Sequence, residues 1–232
     1  MTILFPIGGI GKRFRKAKYT TPKHLLLVDS ITLLEKALST YAKEDPKVFI
    51  LRKEYACGQT AQIIDKAGGL PYILSYSTQG PLETCLAIED TNIINHEDEV
   101  LVADCDAWMD AKEMGEALTH FHMTGAEGGV TIQKSTSPDV SYASIKNGRI
   151  LKTDSHRRLS EWSTTGPYWW KQWSTFLTCA RLAVDKGCFT LSPCYNKLIR
   201  KRGLVSYYPV RTFVHLGDPQ AYAQYCRTHI RA

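Results

Sequence analysis

The chain has 232 residues, of which 44% are hydrophobic and 22% are charged. This composition is typical of a globular protein and excludes a disordered or fibrous one, and the length suits a single domain with a sizeable core. The formal net charge is +6, but lysine and arginine are spread along the chain apart from short groups at 12–16 and 200–202. Such a spread is typical of a solvated surface, so nucleic acid is not expected as a partner.

The sequence also argues against a membrane or secreted protein. No segment approaches the roughly 20 apolar residues of a membrane-spanning helix, and the first residues lack the basic region of a secretion signal. We therefore expect a cytoplasmic location. The seven cysteines include no CxxC pair, which argues against a disulfide framework or a structural zinc site. The oligomeric state is not predicted, although the aromatic residues of 162–173 are interpreted as an exposed run at an interface or in a substrate pocket.

Short apolar runs alternate with helical stretches in the first half of the chain. The predicted segments, strand and helix in turn, are 3–7, 33–41, 48–51, 60–66, 72–76, 83–89 and 100–103. A series of this kind predicts a parallel sheet with helices on both faces, which binds ligands at the carboxyl ends of its strands.

The second half has a different pattern. Strands are predicted at 128–133, 142–145, 149–152 and 168–170, and short turns such as Lys146-Asn147-Gly148 connect them. These strands predict a mixed extension of the sheet. Two further helices are expected, one at about 175–184 and one after Pro219. The whole chain is interpreted as one domain, with a nucleotide-binding half at 1–110 and an acceptor-binding half at 111–232.

The most informative local pattern is a strand that leads directly into Gly8, Gly9 and Gly11, which are three glycines within four residues. Glycine lets the backbone turn tightly and approach a phosphate without a Cβ in the way. The pattern is neither a P-loop nor a clean GxGxxG. An ordinary turn uses the same residues and is the alternative interpretation.

Two cations follow this turn, Arg13 and then Lys23, which comes directly after Pro22. Attack on an α-phosphoryl group builds negative charge on its oxygens and on the leaving pyrophosphate. Fixed cations beside that site stabilise the transition state more than the ground state. The alternative is a pair of exposed, solubilising side chains.

Carboxylates follow the strand predicted at 100–103. Asp104 and Asp106 are two residues apart, so they face one side and are suited to hold Mg²⁺ with water and substrate phosphates completing its shell. Capping of the next helix by Asp104 or Asp110 is the alternative. The metal role is therefore assigned to Asp106 first and to Asp104 second.

Together these residues resemble the sugar-1-phosphate nucleotidyltransferases, most closely a branch found among capsule and surface-polysaccharide genes. The family pattern is a glycine loop followed by Arg and then by Thr-Pro-Lys, which correspond here to Gly8–Gly11, Arg13 and Thr21-Pro22-Lys23. Further matches along the chain are FILRKEY at 49–55, GPLET at 80–84, ADCD at 103–106, SYA at 141–143, TGPY at 165–168, CYNKLI at 194–199 and LGDP at 216–219.

The resemblance implies a Rossmann-like, GT-A type α/β fold with a mixed, mostly parallel sheet and helices on both faces. It also implies that Arg13 and Lys23 contact the triphosphate and that Asp106 holds magnesium. The segment 80–84 is similar to the one that lies against the nucleobase, so Glu83 and Thr84 are expected near the base.

The chain departs from the family at two places. Relatives often carry Glu-Lys where this chain has Ser155-His156, followed by Arg157 and Arg158. A second metal-binding Asp of the family corresponds to His215, and Asp218 lies close to it in the sequence. The acceptor site is assigned to Tyr142, His156, Arg157 and Arg158, and Asp218 joins the candidate metal ligands.

Three functions compete at this stage. The first is transfer of a nucleotidyl group from a nucleoside triphosphate to a small phosphorylated acceptor. The second is a glycosyltransferase that consumes a nucleotide sugar and uses Asp104-Cys105-Asp106 as its metal motif. Lys23 and the three glycines argue against it, because a diphosphate donor does not need such a cationic cradle. The third is a non-catalytic nucleotide-binding relative, suggested by the missing Glu-Lys.

Two finer expectations concern the substrates. A carboxylate at Glu83 accepts hydrogen bonds only, so it suits cytosine or guanine, and CTP followed by GTP is expected. A simple helix N-terminal charge is the alternative role for Glu83. An arginine at 157 or 158 is suited to clamp the acceptor phosphate, which favours a phospho-alcohol or phospho-amide over common hexose phosphates.

Overall fold

A sheet of nine strands forms the centre of the protein, and two short two-stranded ribbons lie outside it. The structure is a computed structural model that describes residues 1–229. The strands in chain order are β1 (Thr2–Ile7), β2 (Leu27–Val28), β3 (Ile31–Thr32), β4 (Lys47–Arg52), β5 (Leu70–Leu74), β6 (Val100–Val102), β7 (Ala107–Trp108), β8 (Gly128–Lys134), β9 (Tyr142–Lys146), β10 (Arg149–Asp154), β11 (Trp162–Trp170), β12 (Val205–Pro209) and β13 (Val214–His215).

The first half of the chain builds the parallel part of this sheet. Strands β5, β4, β1 and β6 lie side by side in that order and are all parallel. The second half adds β11 antiparallel to β6, β8 antiparallel to β11, and β12 parallel to β8. The hairpin of β9 and β10 joins the beginning of β11. Only β10 and β11 therefore run against the other strands, so the sheet is mixed but mostly parallel, as predicted.

Within the described residues 1–229, eight α-helices accompany the sheet. They are α1 (Lys12–Lys16), α2 (Leu33–Leu38), α3 (Gly58–Lys66), α4 (Pro81–Leu86), α5 (Ala111–Met123), α6 (Trp173–Val184), α7 (Tyr195–Arg200) and α8 (Pro219–His229). A capping box starts α2, since the Thr32 side chain accepts from the Glu35 amide and Glu35 accepts from the Thr32 amide. Pro81 at the first position starts α4 because its fixed φ suits a helix and its missing N–H has no partner to lose.

Alternation along the strands divides the core between the two faces of the sheet. Leu4 of β1 packs with helices α4, α6 and α7 on one face. Its neighbours Ile3 and Phe5 pack with helices α2, α3 and α5 on the other. The strand period of two sends successive side chains to opposite faces, so a strand covered on both sides is apolar throughout. Helices on both faces are therefore confirmed.

A third apolar cluster lies beyond the edge of the sheet and holds the C-terminal helix in place. Phe14 and Trp108 are its buried centre, and Tyr222 and Tyr225 of α8 pack against it. The Tyr222 hydroxyl donates to the carbonyl of Leu27 at 2.9 Å. This packing brings one face of α8 to the carboxyl ends of the strands.

Several element boundaries differ from the prediction. Helix α2 ends three residues earlier than expected, β5 begins at Leu70 rather than at 72, and α4 begins at Pro81 rather than at 83. The expected exposure of the aromatic run was wrong for Trp169, Trp170 and Trp173, which have at most 1% of their surface exposed and belong to the core. Within residues 1–229, no helix combines the length and the apolar character needed to cross a bilayer.

Candidate nucleotide and acceptor site

A cleft of about 780 Å³ opens at the carboxyl ends of β1 and β6. Both halves of the chain contribute to its walls, and α8 closes one side with Gln220, Ala221 and Gln224. Of the residues predicted for the site, nine line the cleft: Gly9, Gly11, Arg13, Lys23, Thr84, Asp104, Asp106, His156 and Asp218. The position agrees with the rule that open α/β sheets bind ligands where their strands end.

Each of the three glycines in the loop after β1 has a different structural role. A Cβ at Gly8 would lie 2.7 Å from Thr84 Oγ1, so the loop approaches α4 more closely than any other residue would allow. Gly11 has a φ of 65°, in the left-handed region, at the start of α1. Gly9 is exposed, and a Cβ there would meet no atom within 4 Å. Close packing against Thr84 thus requires glycine at position 8, and the left-handed backbone favours it at position 11. Gly9 leaves the cleft wall open for a ligand.

Lys23 and Asp106 form the central ion pair of the cleft. Lys23 Nζ donates to Asp106 Oδ2 at 2.5 Å, and the Asp106 side chain is 4% exposed while that of Lys23 is 27% exposed. Burial would raise the pKa of Asp106, but the charges of Lys23, His215 and Arg13 hold it below its ordinary value. Asp106 is therefore a buried carboxylate that stays ionised, and Lys23 stays protonated beside it.

Asp104 has the opposite electrostatic character. Burial, together with the charge of Asp106, raises its pKa to about 7. Its side chain lies against Gly166, where a Cβ would be 2.8 Å from Asp104 Oδ2. The two carboxylates of the motif thus differ, and Asp104 needs an additional cation beside it to be fully ionised at neutral pH.

Space for such a cation is kept by glycines on both sides. A Cβ at Gly217 would lie 2.6 Å from Asp106 Oδ2, and Gly166 has the same relation to Asp104. Within residues 1–229, no three His, Cys, Asp or Glu side chains are arranged to hold a metal ion. An open, oxygen-rich position of this kind fits Mg²⁺, which keeps water and substrate phosphates in its shell.

Asp218 has a structural task at the start of α8. Its Oδ1 atom accepts from the amides of Gln220 at 2.8 Å and of Ala221 at 3.2 Å. This is the geometry of a helix N-cap, which satisfies amides that have no partner within the helix. The carboxylate lines the cleft but is already committed to the backbone.

Glu83 lies in the first turn of α4 and is not part of the cleft wall. Its Oε2 atom accepts from the amide of Gln79 at 2.5 Å. Thr84 does line the cleft, and its hydroxyl lies 2.6 Å from that of Thr78. The turn predicted to lie against a nucleobase is therefore at the cleft, with Thr84 directed inward and the carboxylate of Glu83 bound to the backbone.

The segment that replaces Glu-Lys forms a tight turn at the opposite end of the cleft. Asp154 Oδ1 accepts from the amides of His156 and Arg157 at 3.0 and 3.1 Å. Ser155 and His156 line the cleft, and Ser155 Oγ lies 3.1 Å from Thr190 Oγ1. Arg157 is exposed and is not part of the cleft wall.

Arg158 and Tyr142 lie behind this wall. Tyr142 is 1% exposed and donates its hydroxyl hydrogen to the carbonyl of Ser137. The guanidinium of Arg158 lies 5.8 Å from the Tyr142 ring centre and donates to the carbonyl of Ser160. Arg158 borders a shallow neighbouring groove that shares Ser135 and Ser137 with the main cleft. Reaching an acceptor phosphate in the cleft would require this side chain to reorient.

Hydroxyl groups dominate the rest of this end, and sequence reasoning missed them. The hydroxyl-bearing residues in this wall are Ser135, Ser137, Ser141, Ser155, Ser163, Thr164, Thr165, Tyr168, Thr190 and Ser192. Single serines and threonines carry no spacing signal, because turns and strands use them equally. The structure brings them together from four separate segments of the chain, 135–141, 155, 163–168 and 190–192.

His24 is a buried neighbour of the central ion pair. It is 2% exposed, its Nε2 atom lies 2.9 Å from Thr60 Oγ1, and its ring packs edge-on against Tyr55. Burial, with a smaller contribution from the charge of Lys23, lowers its pKa to about 4. His24 is therefore neutral in the folded protein at pH values where a free histidine takes up a proton.

We expect His24 to make the protein sensitive to acid. The folded-state pKa lies below the ordinary value of 6.5, so acidification favours the unfolded state from about pH 6.5 downward and the effect is complete near pH 4. At pH 5 the loss is about 2 kcal/mol relative to pH 8. Denaturant unfolding at both pH values should show this loss in the wild type and its absence in His24→Gln. An equal loss in the two proteins would contradict the assignment.

The fold is shared with solved structures of low sequence identity. The nucleoside-diphosphate-sugar pyrophosphorylase from Vibrio cholerae RC9 superposes with a TM-score of 0.81 at 21% identity, covering 97% of this chain and 99% of that one. A putative glucose-1-phosphate thymidylyltransferase from Bacillus anthracis gives 0.76 at 18% identity, covering 98% and 94%. The inositol-1-phosphate CTP transferase from T. maritima gives 0.76 at 13% identity, covering 97% and 92%.

The sequence matches no protein-family model and no curated protein. Identities of this size establish a common architecture over nearly the full length of each chain, and function has to be argued from the site. The chain thus has the Rossmann-like fold of the sugar-phosphate nucleotidyltransferases.

Proposed function

We propose that this protein is a cytoplasmic nucleotidyltransferase that transfers a nucleotidyl group from a nucleoside triphosphate to a phosphorylated sugar, phospho-alcohol or phospho-amide. Pyrophosphate is the second product. The three neighbours described above are named as enzymes of nucleotide-sugar or inositol-phosphate metabolism, which supports the reaction class. The resemblance of the sequence motifs to the capsule and surface-polysaccharide branch adds the proposal that the product is used in such a synthesis.

The observation that carries the proposal is the buried Lys23–Asp106 pair behind the glycine loop. A fixed ammonium held by a buried carboxylate needs no reorganisation when charge develops beside it. Arg13 adds a second positive charge at the same end of the cleft. A cradle with two cations is suited to a triphosphate that loses pyrophosphate.

The reaction needs few protein groups because phosphate is already an anionic nucleophile. An oxygen of the acceptor phosphate attacks the α-phosphorus, and the bond to the β-phosphate oxygen breaks and leaves its electron pair on pyrophosphate. Lys23 and Arg13 neutralise the charge that accumulates on the α-phosphoryl oxygens and on the leaving group. Asp106 and Asp104 would hold Mg²⁺, which supplies further charge neutralisation between the phosphates when it is bound.

The acceptor is expected at the end of the cleft lined by hydroxyl groups. Neutral hydrogen-bond donors and acceptors there suit an acceptor whose non-phosphate part is uncharged and carries hydroxyl groups. His156, which lines this end, offers a ring nitrogen to the acceptor phosphate. Since Arg157 and Arg158 lie outside the cleft wall, a phosphate clamp by either of them depends on a change of rotamer. Substitution of these arginines therefore tests that part of the acceptor proposal, as a rise in acceptor KM.

The nucleotide preference stays a prediction, with CTP first and GTP second. The Oε2 atom of Glu83 already accepts from the amide of Gln79, so recognition of a base by this carboxylate depends on its other oxygen, Oε1. Loss of one charged hydrogen bond changes selectivity by about tenfold or more. Glu83→Gln should thus lower the ratio of kcat/KM for CTP over UTP by about tenfold. An unchanged ratio together with a lower melting temperature would leave Glu83 a purely structural role in the turn.

A survey of substrates tests the proposed function directly. Each nucleoside triphosphate is incubated with Mg²⁺ and with a panel of phosphorylated sugars, phospho-alcohols and phospho-amides, and pyrophosphate is measured. The proposal requires release of pyrophosphate that depends on both substrates. Release with no acceptor at all, or consumption of a nucleotide sugar instead, would argue for another reaction.

A further inference from the structure

His215 is positioned above the acidic turn by backbone pairing. It lies opposite Ala107 in the antiparallel pair of β13 and β7, and the amide of Leu216 donates to the carbonyl of Asp106 at 2.9 Å. These contacts place His215 Nε2 at 3.9 Å from Asp106 Oδ2. The imidazole also lines the cleft, with 29% of its side chain exposed. Its ring nitrogen is therefore held beside the carboxylate and remains open to a ligand.

The gap between these two atoms depends on Gly217. A Cβ at this position would lie 2.4 Å from His215 Nε2 and 2.6 Å from Asp106 Oδ2. Any other residue would fill the space that separates the nitrogen from the oxygen. Two neighbouring ligand atoms of one divalent cation are usually about 3 Å apart, because each lies about 2.1 Å from the metal. A small side-chain rotation brings the observed separation into that range.

Competing groups at this position have other partners. Asp218 caps α8 through the amides of Gln220 and Ala221. Lys23 donates to the same oxygen of Asp106, but a carboxylate has about four lone-pair sites on its two oxygens, so Asp106 can bind a cation while this hydrogen bond is kept. The nitrogen of His215 is then the nearest ring donor atom to Asp106.

We propose that His215 Nε2 joins Asp106 and Asp104 as a protein ligand of the divalent cation, and that the imidazole shifts the preference of this site from Mg²⁺ toward Mn²⁺ and Co²⁺. Mg²⁺ prefers oxygen ligands, whereas imidazole binds later divalent ions of the first transition row more strongly. The inference rests on the proposed function only in that nucleotide phosphates complete the coordination shell.

Manganese bound to the protein gives a test that does not need turnover. Mn²⁺ is added alone and with the α,β-methylene analogue of CTP, and pulsed electron paramagnetic resonance measures ¹⁴N modulation from a directly bonded imidazole. Wild-type protein should show this modulation, and His215→Gln should lose it. Wild-type protein without the modulation, or the same modulation in His215→Gln, would overturn the assignment.

Affinities complete the test. Replacing His215 with aspartate restores an all-oxygen site, so the ratio of the Mg²⁺ and Mn²⁺ dissociation constants should fall by about tenfold. Asp218→Asn is the matched control, because asparagine also caps helices and the ratio should not change. A shift in Asp218→Asn as large as in His215→Asp would overturn the proposal in favour of Asp218. If nitrogen modulation is present but no pyrophosphate is released with any substrate, the proposed function fails and the metal assignment stands.

Discussion

Lys23→Ala is expected to lower kcat by about 10²–10³-fold, the usual cost of losing one preorganised group that stabilises transition-state charge. The KM for the nucleoside triphosphate should change much less. The ammonium of Lys23 stabilises negative charge that peaks as the bond to pyrophosphate breaks. The ground-state triphosphate is also bound by Arg13 and the loop amides, so its affinity depends less on Lys23. Steady-state kinetics of pyrophosphate release give both constants.

Stability has to be separated from catalysis in this variant. Removal of Lys23 leaves the carboxylate of Asp106 buried without its partner, which costs about 3 kcal/mol of folding free energy. Rates are therefore normalised to the folded fraction measured by denaturant unfolding. Lys16→Ala is the matched control, since Lys16 is exposed on α1 and does not line the cleft. A near-normal kcat in folded Lys23→Ala would remove Lys23 from the transition state.

Asp106→Asn should remove most of the metal-dependent activity, with a fall in kcat of about a thousandfold. The amide keeps the shape of the side chain and an acceptor oxygen for Lys23, but it loses the charge that attracts a divalent cation. A metal ion contributes several kcal/mol of charge stabilisation in such reactions, and about 4 kcal/mol corresponds to three powers of ten. Activity as a function of metal concentration is the measurement.

A second substitution of the same chemical kind provides the control. Asp110 caps α5 by accepting from the amide of Lys112 at 2.7 Å, and it does not line the cleft. Asn caps helices as well as Asp does, so Asp110→Asn should leave kcat and the metal dependence unchanged. If Asp106→Asn behaves like this control, Asp106 does not bind the metal.

The parallel half of the fold was predictable because its strands β1, β4 and β6 are largely buried on both faces. Continuous apolar runs such as those of β1 and β4 contain few polar interruptions, so their type and order follow from pattern alone. Positions of strand and helix ends were less accurate, as with α4, because the start of that helix depends on one proline rather than on periodicity.

The antiparallel part was predicted only in outline. Strand β11 begins at Trp162, six residues before the predicted start, because its early positions are polar residues such as Ser163 and Thr164 that the sheet buries. Strand β12 was not predicted, although Val205 is 1% exposed. Its assignment depends on pairing with β8, a contact between residues far apart in the sequence.

The site shows the same division between local and long-range information. Residue type alone was enough to predict Gly8, Gly11, Lys23 and Asp106. Close approach and a positive φ require glycine, and binding of phosphate or metal requires charge. The contact of Lys23 with Asp106 spans 83 positions, so its existence could be inferred only from the chemistry it serves. Residues that act through position alone, such as Gln224 and the serines of the acceptor wall, have no signal in a single sequence.

The most direct test of the account is a ³¹P nuclear magnetic resonance experiment on the wild-type protein with a nucleoside triphosphate, Mg²⁺ and a phosphorylated acceptor. The account predicts that pyrophosphate appears in equal amount with a new diphosphate whose two phosphorus atoms come from the α-phosphate and the acceptor. Both signals should build up about 10²–10³-fold more slowly in Lys23→Ala. A spectrum in which no acceptor of the panel forms a diphosphate product, while the folded protein binds the triphosphate, would contradict the assignment of a nucleotidyltransferase.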